Sequence, residues 1–208
     1  MRTRSIPTLI VLALLVSPAA ADEWRQILNP ENGFRGWEAV GEGEFVNDNG
    51  TLKAIGAKGK LGLLVYTREQ LGNCVLRVVF RGERDNSNSG VYIRIPERPT
   101  ETGMPIRRAH EIQIAGRHTG EIYARTKVQV TPHPVKPAGE WNIFEITMDG
   151  PRTIVLLNGV KVTDYREGEV EPQQENMREL RPERGYIGLQ SHDADIVWFR
   201  EVAVKPLR

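Results

Sequence analysis

The feature that most restricts the fold is a recurrent alternation of apolar and polar residues in short runs, punctuated by Gly and Asn/Asp clusters. Side chains on a strand point to opposite faces at period two, so each such run makes a ribbon with one face for a core and one for solvent or ligand. Asp48-Asn49-Gly50 joins Glu44-Phe45-Val46 to Thr51-Leu52-Lys53-Ala54, and Asn158-Gly159 joins the run Thr153 to Leu157 to Val160-Lys161-Val162. Asn-Gly between apolar runs is the strongest short-range hairpin signal. Further strand candidates are Leu61 to Tyr66, Cys74 to Arg81, Tyr92 to Ile95, Ile112 to Ile114, Trp141 to Met148, Tyr186 to Ser191 and Ile196 to Val204. No stretch beyond the amino-terminal apolar segment sustains a 3.6-residue apolar period. Many short antiparallel strands in one domain predict an all-β sandwich or jelly roll. The segments 97–108 and 167–184 are too polar and proline-broken for strands and read as long rim loops, where ligand contacts concentrate.

The amino terminus speaks to compartment. Arg2 and Arg4 precede an apolar run from Ile6 to Val16, and Ser17-Pro18-Ala19-Ala20-Ala21 supplies small residues. This reads as a cleaved secretory signal over residues 1–21, with the mature domain over 22–208 and beginning at Asp22. The apolar run is short for a permanent span, so the expectation is a secreted or periplasmic protein without a membrane anchor. Removing 21 of 208 residues leaves 187, a length that suits one domain with a substantial core. Of 28 basic residues two fall in the signal, so 26 face 27 acidic ones and the mature formal charge is −1. That balance argues against a nucleic-acid partner. Arg178, Arg181 and Arg184 are interleaved with Glu179 and Glu183 and read as a solvated loop. Cys74 is the single cysteine. It reads as a small buried hydrophobe, and no intramolecular disulfide can form.

Three runs place chemistry beside core residues: Asn88-Ser89-Gly90-Val91-Tyr92-Ile93-Arg94, His110-Glu111-Ile112-Gln113-Ile114 and Ile187-Gly188-Leu189-Gln190-Ser191-His192. By parity Tyr92 and Arg94 share a face, as do Glu111 and Gln113, and Gln190 and His192. Within one sheet they would form a surface bearing a carboxylate, carboxamides, a guanidinium and an imidazole, suited to a carbohydrate. Plainer roles exist for each: an ion pair between Glu111 and Arg94, a loop position for His192, and turn chemistry for Asn88-Ser89-Gly90. His110 points to the apolar side by parity, and His118 and His133 fall in loops. Trp37, Trp141 and Trp198 read as core or rim packing. No cofactor is expected. Glu83, Asp85, Asn86 and Asn88 crowd one loop with oxygen ligands suited to Ca²⁺, a minor reading whose spacing matches no EF-hand loop.

The order of these words also carries a resemblance. Leu28-Asn29 with Gly33-Phe34 and Trp37, the Asn-Gly-Thr-Leu hairpin, Leu76 to Phe80 followed by Asn88 to Arg94, Glu111 to Ile114, Lys136 to Asn142, Leu157-Asn158-Gly159, and Gly188-Leu189-Gln190 with Phe199-Arg200 together resemble the 3-keto-disaccharide hydrolase domain family. The resemblance implies a concanavalin A-like jelly-roll sandwich of two antiparallel sheets, secretion, and action on sugars whose C3 hydroxyl has been oxidised to a ketone. Retaining glucanases of this architecture carry a Glu-x-Asp-x-x-Glu strand whose paired carboxylates act as nucleophile and acid/base. Here Glu111 is followed by Gln113 and Gly116, so that pair is missing.

A 3-keto sugar does not require the pair. The ketone acidifies C2–H, and removing that proton lets the C1 oxygen leave by elimination, with water adding afterwards. One base, one donor to the enolate and one acid suffice. Glu111 or His192 would be the base and the other the acid, Arg94 the enolate donor, and Asn88, Tyr92, Gln113 and Gln190 the hydroxyl-binding groups. The competing expectation is a non-catalytic, lectin-like carbohydrate-binding module; a structural or adhesion domain is a weaker third.

Overall fold

A computed structural model describes residues 24–171 and 175–207. The signal segment and its expected cleavage before Asp22 lie outside the described residues. The strands are β1 (Arg25–Gln26), β2 (Trp37–Gly41), β3 (Glu44–Asp48), β4 (Thr51–Ile55), β5 (Leu61–Leu71), β6 (Cys74–Gly82), β7 (Asn88–Ile95), β8 (His110–Ala115), β9 (Asn142–Asp149), β10 (Arg152–Leu157), β11 (Val160–Arg166), β12 (Gly185–His192) and β13 (Ile196–Pro206). One sheet runs β11-β10-β9-β6-β13-β4-β3, with β1 added beside β13; the other runs β2-β5-β12-β7-β8. Every pairing between these strands is antiparallel. The result is the expected two-sheet jelly-roll sandwich. Strands β1 and β2 lie outside the candidate runs.

Both hairpin tips form as the sequence predicts. Asn49 and Gly50 adopt φ values of 51° and 80°, and Asn158 and Gly159 adopt 52° and 83°. Positive φ at both central residues gives the turn whose twist matches the flanking strands, which is why Asn-Gly occupies it.

The core lies between the sheets. Leu52, Leu76, Phe80, Phe144, Ile146 and Phe199 from one layer meet Leu64, Tyr66, Val91, Ile93, Ile112 and Leu189 from the other. Each large side chain so buried contributes about 1.5–3 kcal/mol. Cys74 joins this core, where burial pushes its thiol up to about 11. Trp37 is also buried, donating Nε1–H to the carbonyl of Ile27 at 2.7 Å. Trp141 and Trp198 instead sit among cations: Arg81 stacks between them with its Cζ 4.8 Å from each ring, while Arg200 covers Trp141 and Lys53 covers Trp198. Guanidinium over indole keeps the charge wet and covers apolar ring area.

The outer face of the five-stranded sheet carries a second, smaller apolar cluster of Leu63, Val65, Tyr92, Ile95 and Ala109. Met104 and Ile106 pack on it from a six-residue helix, α1 (Gly103–Arg108), inside the segment expected to be irregular. Among the described residues no helix is long and apolar enough to cross a membrane.

Candidate functional site

The site is built on that outer face where β12, β7 and β8 lie side by side. Register sets it: Tyr92 stands opposite Glu111, Gly90 opposite Gln113 and Gly188 opposite Tyr92. A cavity of about 280 Å³ opens there, and its polar lining comprises Asn88, Tyr92, Glu111, Gln113, Gln190 and His192. These are the residues that alternation placed on polar faces, now on three neighbouring strands. Leu61, Ile106 of α1 and Tyr123 complete the walls. Tyr123 is 42% exposed, leaving its ring open at the rim. It comes from a loop pinned to β8 by its own N–H, which donates to the carbonyl of Glu111 at 2.9 Å. Strand alternation gives no signal for a loop aromatic or for a helix that covers the sheet.

Glu111 supplies the carboxyl of this lining. Its residue is 8% exposed, and burial pushes its carboxyl up to about 7. Hydrogen bonds from Tyr92, Gln190 and Gln113 oppose that rise without cancelling it. Tyr92 Oη donates to Glu111 Oε2 at 2.7 Å, and Gln190 Nε2 donates to Tyr92 Oη at 3.2 Å. Burial and the adjacent carboxylate hold the Tyr92 phenol far above its ordinary value, so it remains a donor. Two buried atoms of this cavity's lining residues, Gln190 Oε1 and His192 Nδ1, have no hydrogen-bond partner among the described residues. Elsewhere in proteins nearly all such atoms are satisfied by protein groups or by water.

Space for the carboxyl is made by glycine. A Cβ on Gly90 would lie 2.5 Å from Glu111 Oε1.

Arg94 does not belong to the site, which corrects the parity argument. Ile93 and Arg94 together oppose Ile187, because Tyr92 pairs Gly188 and Ile95 pairs Tyr186. This is a β-bulge, with Arg94 at φ 59°. The extra residue reverses alternation, so Ile93 enters the main core and Ile95 the outer cluster. The Arg94 guanidinium turns away to donate to the carbonyls of Pro182 (3.0 Å), Gly150 (2.8 Å) and Arg152 (3.1 Å). It therefore makes no ion pair with Glu111 either. Gly185 permits the bulge: a Cβ there would lie 2.5 Å from Arg94 Cα.

A second correction concerns the run Arg178 to Arg184, expected to be a solvated loop. Arg181 is 6% exposed and donates to the carbonyls of Ala109 (3.2 Å), Met177 (2.6 Å), Arg107 (2.5 Å) and Glu179. Arg125 also donates to Met177 O, at 2.6 Å. Glu167 accepts from Arg181 N and meets His110 Nε2 at 2.5 Å. Burial holds the His110 imidazole down to about 4, so the ring is neutral and donates from Nε2. His110 thus faces away from the cavity, as parity requires. Through these contacts one loop ties down residues beside Ile106, Glu111 and Tyr123, the segments that wall the site.

His118 lies 3.1 Å from Glu121 through Nδ1, and His133 Nδ1 accepts from Val135 N; both are outside the cavity lining. In the loop considered for Ca²⁺, Asp85 Oδ1 accepts from Ala138 N at 2.7 Å. Among the described residues no three His, Cys, Asp or Glu side chains cluster so as to hold a metal.

The molecule is thus a two-sheet antiparallel β-sandwich with a polar cavity, carrying one carboxyl, on the outer face of its five-stranded sheet. The chain belongs to the 3-keto-α-glucoside-1,2-lyase-like domain family, whose model matches residues 23–205. It is similar in fold to a Parabacteroides distasonis protein provisionally named a glycosyl hydrolase, with a TM-score of 0.71 and 24% identity over 89% of this chain and 100% of that one. It is also similar to a carbohydrate-binding module from Bacillus subtilis, with a TM-score of 0.58 and 12% identity over 82% of this chain and 95% of the module. A non-specific endo-β-1,3(4)-glucanase gives a TM-score of 0.55 at 12% identity, covering 92% of this chain and 87% of the glucanase. A search of curated proteins finds no match.

Proposed function

We propose that this protein is a secreted enzyme that cleaves the glycosidic bond of 3-keto-glycosides, with Glu111 removing the C2 proton. The observation that carries this reading is the Glu111 carboxyl: buried in a sugar-sized cavity and held at about 7, it is a base poised near neutral pH. Glu111 takes the proton from C2, and the C–H electrons form the C2=C3 bond of an enolate whose charge rests on the C3 oxygen. The enolate then reforms the ketone as C1=C2 forms and the C1–O bond breaks, the departing oxygen receiving a proton from His192 or from Glu111 itself. Water adding across the new double bond yields the free 3-keto sugar.

With Arg94 elsewhere, the enolate donors are neutral. The carboxamides of Asn88 and Gln113 serve best, because Tyr92 Oη–H is already directed at Glu111. Neutral donors in a cavity shielded from water stabilise developing charge without first being desolvated as ions. Among the described residues no Lys or Arg lines the cavity, which suits an uncharged sugar ring. Ile106 and Tyr123 offer apolar surface to the ring's C–H groups.

A second reading, a carbohydrate-binding module, draws on the open Tyr123 ring beside the carboxamides. One experiment separates the two. The mature protein is incubated with 3-keto-trehalose or a 3-keto-glucoside, and release of sugar is followed together with formation of the 1,2-unsaturated product. Cleavage abolished by Glu111→Gln supports the enzyme. Glycan binding without cleavage of any 3-keto substrate replaces it with the binding module.

A further inference from the structure

We infer that a second ligand site lies on the opposite side of the five-stranded sheet, in a cleft lined by Arg25, Asn29, Asn32, Arg35, Tyr66 and Arg68, and that it binds an oxyanion: a carboxylate, sulfate or phosphate group. The cleft measures about 290 Å³, comparable to the Glu111 cavity. Tyr66 and Arg68 lie on the face of β5 that looks toward the other sheet, whereas Leu61, Leu63 and Val65 look toward the Glu111 side. The two sites are therefore separated by the sheet itself.

Arg25, Arg35 and Arg68 all line this cleft, in a chain whose formal charge is only +1 with the signal included. Arg25 has a partner, Glu69 Oε1 at 2.7 Å. Arg35 and Arg68 have no carboxylate partner among the described residues. Positive side chains lining one concavity attract an anion.

The neutral groups point the same way. Asn29 Oδ1 accepts from Glu31 N at 3.1 Å, and Asn32 Oδ1 accepts from Arg35 N at 3.3 Å. With each carbonyl oxygen bound to its own backbone, each amide has its Nδ2 donors left over. The rim is thus rich in donors and poor in acceptors, the complement of an oxyanion and the reverse of the carboxyl-centred cavity. The backbone is shaped to seat the cluster. Gly36 has φ 91°, and a Cβ there would lie 2.5 Å from Arg68 Cδ, so the glycine gives the stem of Arg68 its place. Planar, multi-donor guanidiniums recognise carboxylate, sulfate and phosphate by paired hydrogen bonds, which lysine cannot reproduce.

The source of the anion divides into a free ion and a charged group on a glycan. The test is isothermal titration of the mature protein, at fixed ionic strength, with sodium phosphate, sodium sulfate and a tri-galacturonate, against Arg35→Ala, Arg68→Ala and the double variant. Saturable binding that weakens at least tenfold in each single variant, and is retained in Glu111→Gln, supports the site. Preference for phosphate or sulfate identifies a free ion; preference for the uronate identifies a glycan-borne carboxylate. Arg68→Lys, which keeps the charge but not the fork, should bind less well than wild type. Absence of saturable binding to all three ligands, or equal binding by wild type and the double variant, overturns the proposal. Because Arg35 and Arg68 are exposed, both variants should fold, which an unchanged thermal midpoint verifies. The outcome is independent of whether the Glu111 cavity cleaves 3-keto sugars.

Discussion

Tyr92 and Glu111 stand directly opposite each other across β7 and β8, and the phenol oxygen lies 2.7 Å from the carboxyl oxygen Oε2. Both residues are almost fully buried, at 0% and 8% exposure. Desolvated by burial, the carboxyl has one phenol and neighbouring amides to hold its charge, too few to offset that cost. The proton therefore stays on to about pH 7.

Activity on a 3-keto-glucoside should accordingly rise as pH passes through about 7 and Glu111 ionises. Glu111→Gln should lower turnover by on the order of 10² or more while the protein stays folded. Initial rates over pH 5 to 9, with circular dichroism of the variant, check this. Full activity in the folded variant would remove Glu111 from the chemistry.

The same carboxyl sets a stability profile. It holds its proton to about 7 when folded but only to about 4.3 when unfolded. Between these values the folded state binds more protons, so stability falls as pH rises through that window and levels off above it. The loss for this one group is about 4 kcal/mol. Urea denaturation of wild type and Glu111→Gln at pH 5 and pH 8 should show the variant losing less stability across the interval.

Gly90→Ala should damage the site more than the fold. Its backbone lies outside the left-handed region, but the added methyl would displace the Glu111 carboxyl. A fall in turnover of at least tenfold, with a stability cost of about 1–3 kcal/mol, is the expected pattern. Wild-type turnover in Gly90→Ala would show that the carboxyl's position does not matter.

Arg94→Met should behave in the opposite way. Removing the guanidinium strands the carbonyls of Gly150, Arg152 and Pro182, at a cost of about 3 kcal/mol, yet touches nothing in the cavity. A lowered thermal midpoint with near-normal turnover below it is expected. A stable variant with lost turnover would return Arg94 to the reaction.

Arg181→Ala should loosen the walls around the cavity rather than its floor. Hydrogen exchange should rise in 103–109, and KM should rise more than kcat falls, because the lost contacts to the carbonyls of Arg107 and Ala109 hold the segment of Ile106. Unchanged exchange in that segment would show that Arg181 does not position it.

The sequence by itself determined the layers and most of the site, because both rest on local rules. Period-two alternation placed Glu111 with Gln113 and Gln190 with His192 and sent His110 to the other side, and Asn49-Gly50 and Asn158-Gly159 set two hairpin registers through the φ values that turn demands. Where alternation ran unbroken, the side chains arrived where parity sent them. Tertiary structure alone decided the rest. The bulge at Ile93–Arg94 depends on the close approach of Gly185 from β12, a strand 91 positions away by residue number (185 against 94), so no window around Arg94 contains its cause. Arg181 reads as solvated among its charged neighbours and is buried only because carbonyls of α1 and of its own loop converge on it. The value of about 7 at Glu111 belongs to neither chain position nor residue type, since desolvation is a property of what packs around a carboxyl after folding.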